Sequence, residues 1–388
     1  MRIVLINEYF PPFAPGGAEL SGLELARALV ARGHAVQVIT PNYGAAGRET
    51  LDGVEVVRFP FPARLAGRRT LPLRWLASPW FYLWSALAIT FYAGRFGADV
   101  LHAQNKYSLP GSWLAGRLLR RPVLVTVRDT LLACPFGRCF MVYDHVPAGC
   151  GHGPLWELCR EAHIADYIHA RTPLSWLKAR LTAAYLRLDL RLRQWVLRRV
   201  DGVIPVSRGM QRLYAEAGIP LGRAARVIYN IPPSPTAAAL DGATDATALR
   251  RRYGLGDGPI VLYGGKFSPG KGTADLVAAA HQVIRQVPAA QFVFAGGSDL
   301  AGANTPYLHV LGRIPNADFL QLAALAHLVV VPSVWPEPLS RVALEALSLG
   351  TPVVATAVGG TPEIVAHEVN GLLTPKGAGR GHHHLAAG

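Results

Sequence analysis

Short apolar runs alternate with helix-like segments along this chain, and the whole alternation occurs twice. The first series begins with an apolar strand at residues 4–6 and a helix-like segment at residues 18–32. The second begins with an apolar strand at residues 260–263 and a helix-like segment at residues 272–286. It continues with strands predicted at residues 291–295, 328–331 and 353–355 and a helix predicted at about residues 340–349. Alternating strands and helices are typical of doubly wound parallel sheets. We therefore predict an α/β protein with two Rossmann-like domains.

The length of the chain supports this division. Its 388 residues, of which 51% are hydrophobic, suit two domains that each bury a core. Residues 231–250 are rich in Pro, Ala and Thr, which is typical of a linker. We expect an N-terminal domain at residues 1–230 and a C-terminal domain at residues 251–376. The Gly-, Ala- and His-rich residues 377–388 form an atypical tail, more typical of a disordered end than of a metal site.

The net charge of +14, from 39 basic and 25 acidic residues, favours anionic partners. A helix-like segment at residues 173–199 carries many arginines with interleaved aromatic residues. This pattern is typical of contact with an anionic membrane surface, and a helix packed on the N-terminal domain is equally compatible with it. We expect no nucleic-acid partner, since such a partner would explain the charge but not the motifs described below.

Two features bear on the cellular location. The chain begins directly with a strand-like run, without the basic head and long apolar core of a secretory signal, so we expect a cytoplasmic protein. Residues 75–94 carry no charge and would reach across a bilayer at ~1.5 Å per residue. Pro79 interrupts this run and aromatic residues lie throughout it. We therefore favour a buried or interface-lying helix, with peripheral contact to the inner face of the cytoplasmic membrane.

The segment at residues 332–365, PSVWPEPLSRVALEALSLGTPVVATAVGGTPEIV, holds the strongest functional pattern. Glu337 stands between two prolines at the expected mouth of a helix, where the backbone amides of Leu339 and Ser340 would attract an anion. Glu345 follows eight residues later, ~12 Å along a helix. The two carboxylates are therefore expected to hold separate parts of one extended ligand rather than to act as an acid/base pair.

Two glycine-rich turns follow predicted strands. In the second domain, Gly264-Gly265 is followed by Lys266 and Lys271, whose charges suit a diphosphate. In the first domain, Gly16-Gly17 lets backbone amides approach a ligand closely, although a plain tight turn is equally compatible.

Together these segments resemble family-4 retaining glycosyltransferases. The resemblance rests on two glutamates with seven residues between them, inside a P-S-x-x-E-P…E-A…G-x-P-V-V-A-T…G-G-x-P-E pattern. It implies the GT-B fold, with two Rossmann-like domains facing across a cleft. It also implies transfer of a hexosyl unit from a UDP-, GDP- or ADP-sugar to a hydroxyl of a glycan or lipid-linked glycan, with retention and without a metal or other cofactor.

The resemblance also implies roles for individual residues. Glu345 would bind the nucleotide ribose and Glu337 would lie beside the donor sugar. The remaining donor-side positions would be Lys266, Lys271, Leu339, Ser340, Gly16 and Gly17, and the acceptor-side positions would be His102 and Asp129. We take Glu337, Lys266 and Lys271 as the candidate catalytic residues.

Three positions leave alternatives open. Lys266 stands where the family usually has arginine, and lysine keeps the charge but loses the bidentate fork, which predicts weaker donor binding. Arg128 stands where the family commonly has histidine, so no role is carried over to it. A buried histidine satisfied by backbone groups is as compatible with His102 as an acceptor-side role.

All four cysteines, Cys134, Cys139, Cys150 and Cys159, lie in an expected insertion near residues 130–160. A structural zinc site would cross-link and stabilise this Gly- and Pro-rich loop. Their spacing lacks a C-x-x-C pair, however, and disulfides are disfavoured in a cytosolic chain. We favour reduced structural cysteines and keep zinc as the alternative.

The resemblance ends near Pro375. Family members usually continue with helices that complete the C-terminal domain, so we expect that domain to be incomplete, as in a chain truncated at its C-terminus. An inactive GT-B-fold binding or scaffold protein is therefore one alternative, and a sugar-nucleotide epimerase of the same fold is another. No feature of the sequence indicates an oligomeric state.

Overall fold

The computed structural model describes residues 1–14, 16–65, 70–134, 136, 146, 153–164, 172–222, 224–232, 246–297 and 305–376. The chain divides into two compact units, Met1–Ile231 and Pro232–Gly388.

The first unit is built on a sheet that is parallel except at one edge. Its strands are β1 (Arg2–Ile6), β2 (Ala35–Pro41), β3 (Arg48–Leu51), β4 (Val54–Phe59), β5 (Val100–Ala103), β6 (Val123–Val127) and β7 (Gly202–Pro205). In the described residues their order is β3-β4-β2-β1-β5-β6-β7, and β3 runs antiparallel to β4. The helices are α1 (Gly17–Ala31), α2 (Leu73–Leu76), α3 (Pro79–Phe96), α4 (Ser108–Leu119), α5 (Gly153–His163), α6 (Pro173–Leu197) and α7 (Arg208–Glu216).

The alternation of side chains along β1 shows why helices cover both faces of this sheet. Val4 and Ile6 belong to one buried cluster together with Phe81 of α3. Leu5 belongs to another cluster, with Leu23 of α1. Because successive strand residues point to opposite faces, an apolar run with no polar interruption must be buried on both sides.

The second unit has a fully parallel sheet. Its strands are β8 (Ile260–Gly264), β9 (Gln291–Ala295), β10 (Leu308–Gly312), β11 (Leu328–Val331), β12 (Val353–Thr356) and β13 (Gly371–Thr374). In the described part of this unit their order is β10-β9-β8-β11-β12-β13. The helices are α8 (Ala246–Arg252), α9 (Thr273–Val283), α10 (Asn316–Leu325) and α11 (Arg341–Ser348). The α/β prediction is thus confirmed, with two Rossmann-like parallel sheets.

The uncharged run at residues 75–94 is not one continuous helix. α2 ends at Leu76, and the Ser78 hydroxyl caps α3 by accepting a hydrogen bond from the Phe81 amide at 3.2 Å. Among the helices of the described residues, none is both long and apolar enough to cross a membrane.

Candidate functional site

In the second unit, the predicted donor-side residues lie where the strand order reverses. β8 and β11 are neighbours in the sheet, and the chain leaves β8 towards β9 but leaves β11 towards β12. In parallel α/β sheets, ligands bind outside the carboxyl ends of the strands at such a point. The two loops concerned are residues 265–272, after β8, and residues 332–340, after β11.

Backbone contacts join these two loops. The Gly270 carbonyl accepts hydrogen bonds from the amides of Val334 at 3.1 Å and Trp335 at 2.9 Å. Gly272 adopts φ +65°, and a Cβ there would lie 1.9 Å from the Pro332 carbonyl oxygen. The glycine after Lys271 is therefore required for the loops to approach each other.

Lys271 and Glu337, which lie far apart in the sequence, meet at this junction. The Lys271 Nζ donates to Glu337 Oε1 at 2.5 Å, and the Ser333 hydroxyl donates to the same oxygen at 2.5 Å. The Glu337 side chain is 8% exposed, whereas that of Lys271 is 35% exposed. The lysine thus links a buried carboxylate to the surface. Ser333 was missed by the sequence analysis, although it is the serine of the P-S pair that opens the motif.

The position expected for Glu337 at the mouth of a helix is wrong. α11 begins at Arg341, and Ser340 is its N-cap, with its hydroxyl accepting from the Ala343 amide at 3.3 Å. The Glu337 carbonyl accepts from the Gly360 amide at 2.7 Å, so it does not take part in the first helical turn. Glu337 and Glu345 therefore do not share a helix, and their separation does not follow from helical rise.

Glu345 has a cationic partner of its own. It is 2% exposed on α11, and its Oε1 accepts from Arg341 Nε at 2.7 Å, one turn earlier. Among the described residues, the buried Nη1 of Arg341 has no hydrogen-bond partner. Arg341 was not predicted, although its (i, i+4) spacing to Glu345 is a signal for such a pair.

The other predicted donor-side positions of the second unit lie on the same two loops. Lys266 is the second residue after β8; its side chain is exposed, and its carbonyl accepts from the Tyr263 hydroxyl at 2.8 Å. Leu339 is 5% exposed and immediately precedes the capping residue Ser340.

In the first unit, Gly16 and Gly17 lie at the start of α1. Gly16 is the N-cap with an extended backbone, and Gly17 is the first helical residue. The Gly16 amide donates to Glu19 Oε2 at 2.9 Å. Burial raises the pKa of Glu19, which the sequence analysis did not single out.

The predicted acceptor-side residues belong to adjacent strands of this sheet: His102 lies on β5, and Asp129 follows β6. The Asp129 carboxylate accepts from Lys106 Nζ at 2.6 Å. His102 Nε2 lies 2.7 Å from the Thr126 hydroxyl. Burial, together with the charge of Arg128, lowers the pKa of His102 to about 3. His102 is therefore a buried, neutral histidine whose observed partner is a side-chain hydroxyl.

The guanidinium group of Arg128 is hydrogen-bonded to side chains from two other parts of the unit. Its Nη1 donates to Asn230 Oδ1 at 2.6 Å and its Nη2 donates to Gln104 Oε1 at 2.5 Å. Burial lowers the pKa of Arg128 to about 10. Within the described residues, three buried groups here have donors without partners: Arg128 Nε, Gln104 Nε2 and Asn7 Nδ2. Buried polar groups are normally hydrogen-bonded, so these atoms at the carboxyl ends of β1, β5 and β6 are suited to a polar ligand.

Glu8 is a buried acid that the sequence analysis missed, although it directly follows β1 as part of an Asn-Glu pair. Its carboxylate accepts from the Ser108 amide at 3.2 Å and from the Tyr107 amide. Burial raises the pKa of Glu8 to about 7, against the opposing charge of Lys106.

This shifted pKa predicts a pH-dependent stability of the first unit. A carboxyl group whose pKa is raised on folding contributes stability that is present below its unfolded pKa and is lost as pH rises through its folded pKa. From about pH 5 to about pH 8, Glu8 should remove about 2–3 kcal/mol from the free energy of unfolding. Urea titrations followed by tryptophan fluorescence report mainly on this unit, because seven of the eight tryptophans precede residue 231.

The comparison variant is Glu8→Gln, which keeps an acceptor for the Tyr107 amide but does not titrate. Subtracting its pH profile removes the contribution of other groups, including His102. The exposed Asp52→Asn substitution serves as the control and should leave the wild-type profile in place. If the free energies of unfolding of Glu8→Gln and wild type change with pH in parallel over this range, the raised pKa of Glu8 is wrong.

The zinc hypothesis stays a prediction. Cys139 and Cys150 lie outside the described residues, whereas Cys134 is buried and Cys159 is half-buried. Across the part of the chain that the structure describes, no group of three or more His, Cys, Asp or Glu side chains is placed to hold a metal ion.

Two families of known proteins match this chain. The Glycosyl transferase 4-like domain matches residues 16–230, and Glycosyl transferases group 1 matches residues 258–382. The Bacillus subtilis protein YtcC is 31% identical over 196 residues, which span 46% of this chain and about half (48%) of YtcC. A glycosyltransferase of Methanocaldococcus jannaschii is 26% identical over 389 residues, covering 96% of this chain and 84% of that protein.

The fold also has relatives among solved structures. The Anabaena protein HepE, crystallised in complex with UDP-glucose, superimposes with a TM-score of 0.62 at 22% identity. The match covers 97% of this chain and 86% of HepE. With both units matched, this chain belongs to the group 1, 4-like glycosyltransferases and has their GT-B architecture of two Rossmann-like domains.

Proposed function

We propose that this glycosyltransferase moves a hexosyl unit from a nucleoside-diphosphate sugar to a hydroxyl of a glycan or lipid-linked glycan, with retention of anomeric configuration. The observation that carries the proposal is the junction of the loops after β8 and β11, where Lys271, Ser333 and Glu337 meet just ahead of α11. The complex of HepE with UDP-glucose supports a donor of this class.

In this proposal the donor diphosphate lies against Lys266 and Lys271. A lysine ammonium has three N–H donors, so Lys271 can bond phosphate oxygens as well as Glu337. Positioned cations stabilise the charge that develops on the leaving diphosphate. The amides of Leu339 and Ser340, at the start of α11, add partial positive charge. Because these groups supply the charge stabilisation, we propose a reaction that needs no metal ion.

The two glutamates have separate tasks. Glu345, held by Arg341, accepts hydrogen bonds from the ribose hydroxyls of the donor. Glu337, held by Lys271 and Ser333, lies beside the donor sugar. Since each carboxylate has its own cationic partner, separate roles are better supported than a shared proton between them.

The first unit supplies the acceptor side in this proposal, through His102 and Asp129. Asp129 is tied to Lys106, and its own backbone carbonyl accepts from the Tyr214 hydroxyl at 2.8 Å, which gives it a defined position. Gly16 and Gly17 are proposed donor-side residues, because the amides at the start of α1 are suited to an anionic group.

We also propose a cytoplasmic enzyme that lies peripherally on an anionic membrane. One side of α6 carries exposed apolar residues next to arginines, which suits such a surface. The exposed apolar residues are Leu174, Leu177, Leu181, Leu188, Leu192 and Trp195. A membrane position would bring a lipid-linked acceptor to the first unit.

A thermal-shift screen with UDP-, GDP- and ADP-sugars tests the donor proposal. At least one donor should raise the melting temperature, because a ligand that binds only the folded state stabilises it. Glu345→Gln should abolish this shift, since the amide does not replace the carboxylate that accepts from the ribose. Hydrolysis of the same donor, followed by release of the nucleoside diphosphate, would then separate an enzyme from an inactive binding protein.

The matched control is Asp257→Asn, an exposed position in the same unit that loses the same charge. It should keep the donor-induced shift. The proposal fails if wild-type protein neither binds nor hydrolyses any nucleotide sugar, and the assignment of Glu345 fails if Glu345→Gln retains the full shift.

A further inference from the structure

A basic cavity lies on the first unit, and the described residues that line it include none of the candidate site residues. It has a volume of about 630 Å³ and lies beside the carboxyl ends of β2 and β4. Three arginines line it, Arg48, Arg58 and Arg64, together with Asn42 and Tyr92. Among the described residues that line the cavity, none is acidic. Such a concentration of guanidinium groups favours an anionic ligand.

Arg58 is the buried member of this set. Its side chain is fully buried, and it donates to the carbonyls of Ala46 at 2.9 Å and Pro11 at 2.5 Å. It also pairs with Glu49. Its Nε is buried and has no partner among the described residues. The two carbonyls and Glu49 hold Arg58 at the wall of the cavity.

Arg48 and Arg64 are exposed at the same cavity. Since Glu49 balances one of the three guanidinium charges, a net positive charge of two remains at the site. Arginine matches the geometry of phosphate oxygens with two parallel N–H donors, which makes phosphate a better candidate than a carboxylate of lower charge.

An apolar stripe on α3 borders this cavity. Its members lie on one side of the helix and are exposed by 36–61%: Trp80, Leu83, Trp84, Leu87 and Phe91. The stripe reaches the cavity through two contacts. Trp84 Nε1 donates to the Pro60 carbonyl at 2.7 Å, and the ring of Trp80 lies 5.7 Å from that of Phe61, which lines the cavity.

A phosphate site next to exposed aromatic and leucine side chains has the chemistry of a membrane interface. Tryptophan is enriched where the headgroups meet the acyl chains, and an amphipathic helix lies in the plane of that interface. A soluble phosphate ligand would explain the arginines but not the stripe. An apolar protein partner would explain the stripe but not the three arginines of the cavity.

We propose that this cavity binds the phosphate of an anionic membrane phospholipid while the α3 stripe rests among the upper acyl chains. The inference deepens the membrane contact of the proposed function and rests on that part of it. It assigns the contact to Arg48, Arg58, Arg64 and α3, apart from the donor-side residues of the second unit.

Vesicle co-sedimentation tests the inference. Wild-type protein should bind vesicles of phosphatidylglycerol and phosphatidylcholine much more tightly than vesicles of phosphatidylcholine alone. Arg48→Gln/Arg64→Gln should weaken binding to the anionic vesicles about tenfold or more. Leu83→Ser/Leu87→Ser, which leaves the arginines in place, should weaken it to a similar extent because it removes buried apolar area.

The charge-matched control is Arg32→Gln/Arg121→Gln. Both arginines are exposed, and they precede β2 and β6 at the opposite, amino-terminal edge of the same sheet. This variant should bind anionic vesicles within about threefold of wild type, because headgroup attraction falls off within a Debye length. All variants should keep the wild-type melting temperature, since only exposed side chains change.

Three outcomes would overturn the inference. If wild type binds inorganic phosphate, seen as a thermal shift lost in Arg48→Gln/Arg64→Gln, but does not bind anionic vesicles, the ligand is a soluble phosphate. If both double variants bind vesicles as wild type does, the membrane contact lies elsewhere, for example on α6. If the control loses as much binding as the cavity variant, the effect is due to net charge alone. The donor-induced thermal shift is measured in parallel, so failure of the donor proposal is seen separately.

Discussion

Replacing Lys271 by alanine is expected to lower the kcat of sugar transfer by about a thousandfold, with a smaller change in the KM for the donor. The reason is the position of its ammonium group, 2.5 Å from Glu337 at the junction of the two loops. In the proposed reaction this charge is needed most when the diphosphate leaves. The substitution also leaves the buried Glu337 carboxylate with Ser333 but without its cation.

The control for this experiment is Arg285→Ala. Arg285 is exposed and lies just beyond α9 in the same unit, outside both loops. Its replacement by alanine removes one positive charge, as Lys271→Ala does. Its kcat should stay within about twofold of wild type, as expected for a surface change. Melting temperatures separate a catalytic loss from unfolding. A Lys271→Ala enzyme that is folded and retains most of its kcat would show that Lys271 does not stabilise the leaving group.

The second large effect is expected from Gly359→Ala, which should destabilise the second unit by about 3–5 kcal/mol. Gly359 adopts φ +58°, a conformation that disfavours any residue with a Cβ. An added Cβ would also lie 2.1 Å from the Glu337 carbonyl oxygen and 2.7 Å from its amide nitrogen. The loop carrying Glu337 must therefore move, and the Gly360–Glu337 hydrogen bond with it.

Gly350→Ala separates the two causes. Gly350 has a similar φ of +78°, but nothing lies within 4 Å of its added Cβ. This control should lose only about 1 kcal/mol, the contribution of backbone strain alone. Urea titration of each variant measures the free energy of unfolding. Donor affinity, measured at low urea concentration, reports whether the donor site is retained. Equal losses in the two variants would mean that the close approach of Gly359 to Glu337 has no energetic weight.

Local pattern was sufficient for most of the second unit's framework. The strands β8, β9, β11 and β12 and the helix α11 were predicted because each is an apolar run or an amphipathic turn bounded by glycine or proline. The strands β10 and β13 were not predicted. Both are edge strands of the sheet, and most of their residues are only partly buried, so their hydrophobic pattern is weak.

Glu8 and the arginine cavity illustrate what local pattern cannot supply. In the sequence, Glu8 is a single acidic residue after a strand and shows no distinguishing pattern. Its pKa is raised because folding buries it, with the amides of Tyr107 and Ser108, which follow β5, donating to its carboxylate. Arg48 and Arg58 belong to two paired strands, β3 and β4, that the sequence analysis missed. Their approach to Tyr92 of α3 depends on the packing of that helix, which composition does not encode.

The sequence by itself determined the α/β class, the glycosyltransferase family and the identity of the candidate donor-side residues, because strand periodicity and motif spacing are local properties. Only the tertiary structure decided which of those residues touch. Lys271 and Glu337 are 66 positions apart, and they meet because β8 and β11 are neighbours in the sheet. Tertiary structure also decided that Glu337 lies before α11 and not on it, because its carbonyl accepts a hydrogen bond from the Gly360 amide, which follows β12. Strand order and loop contacts are long-range properties, so the geometry of the site depends on the whole unit.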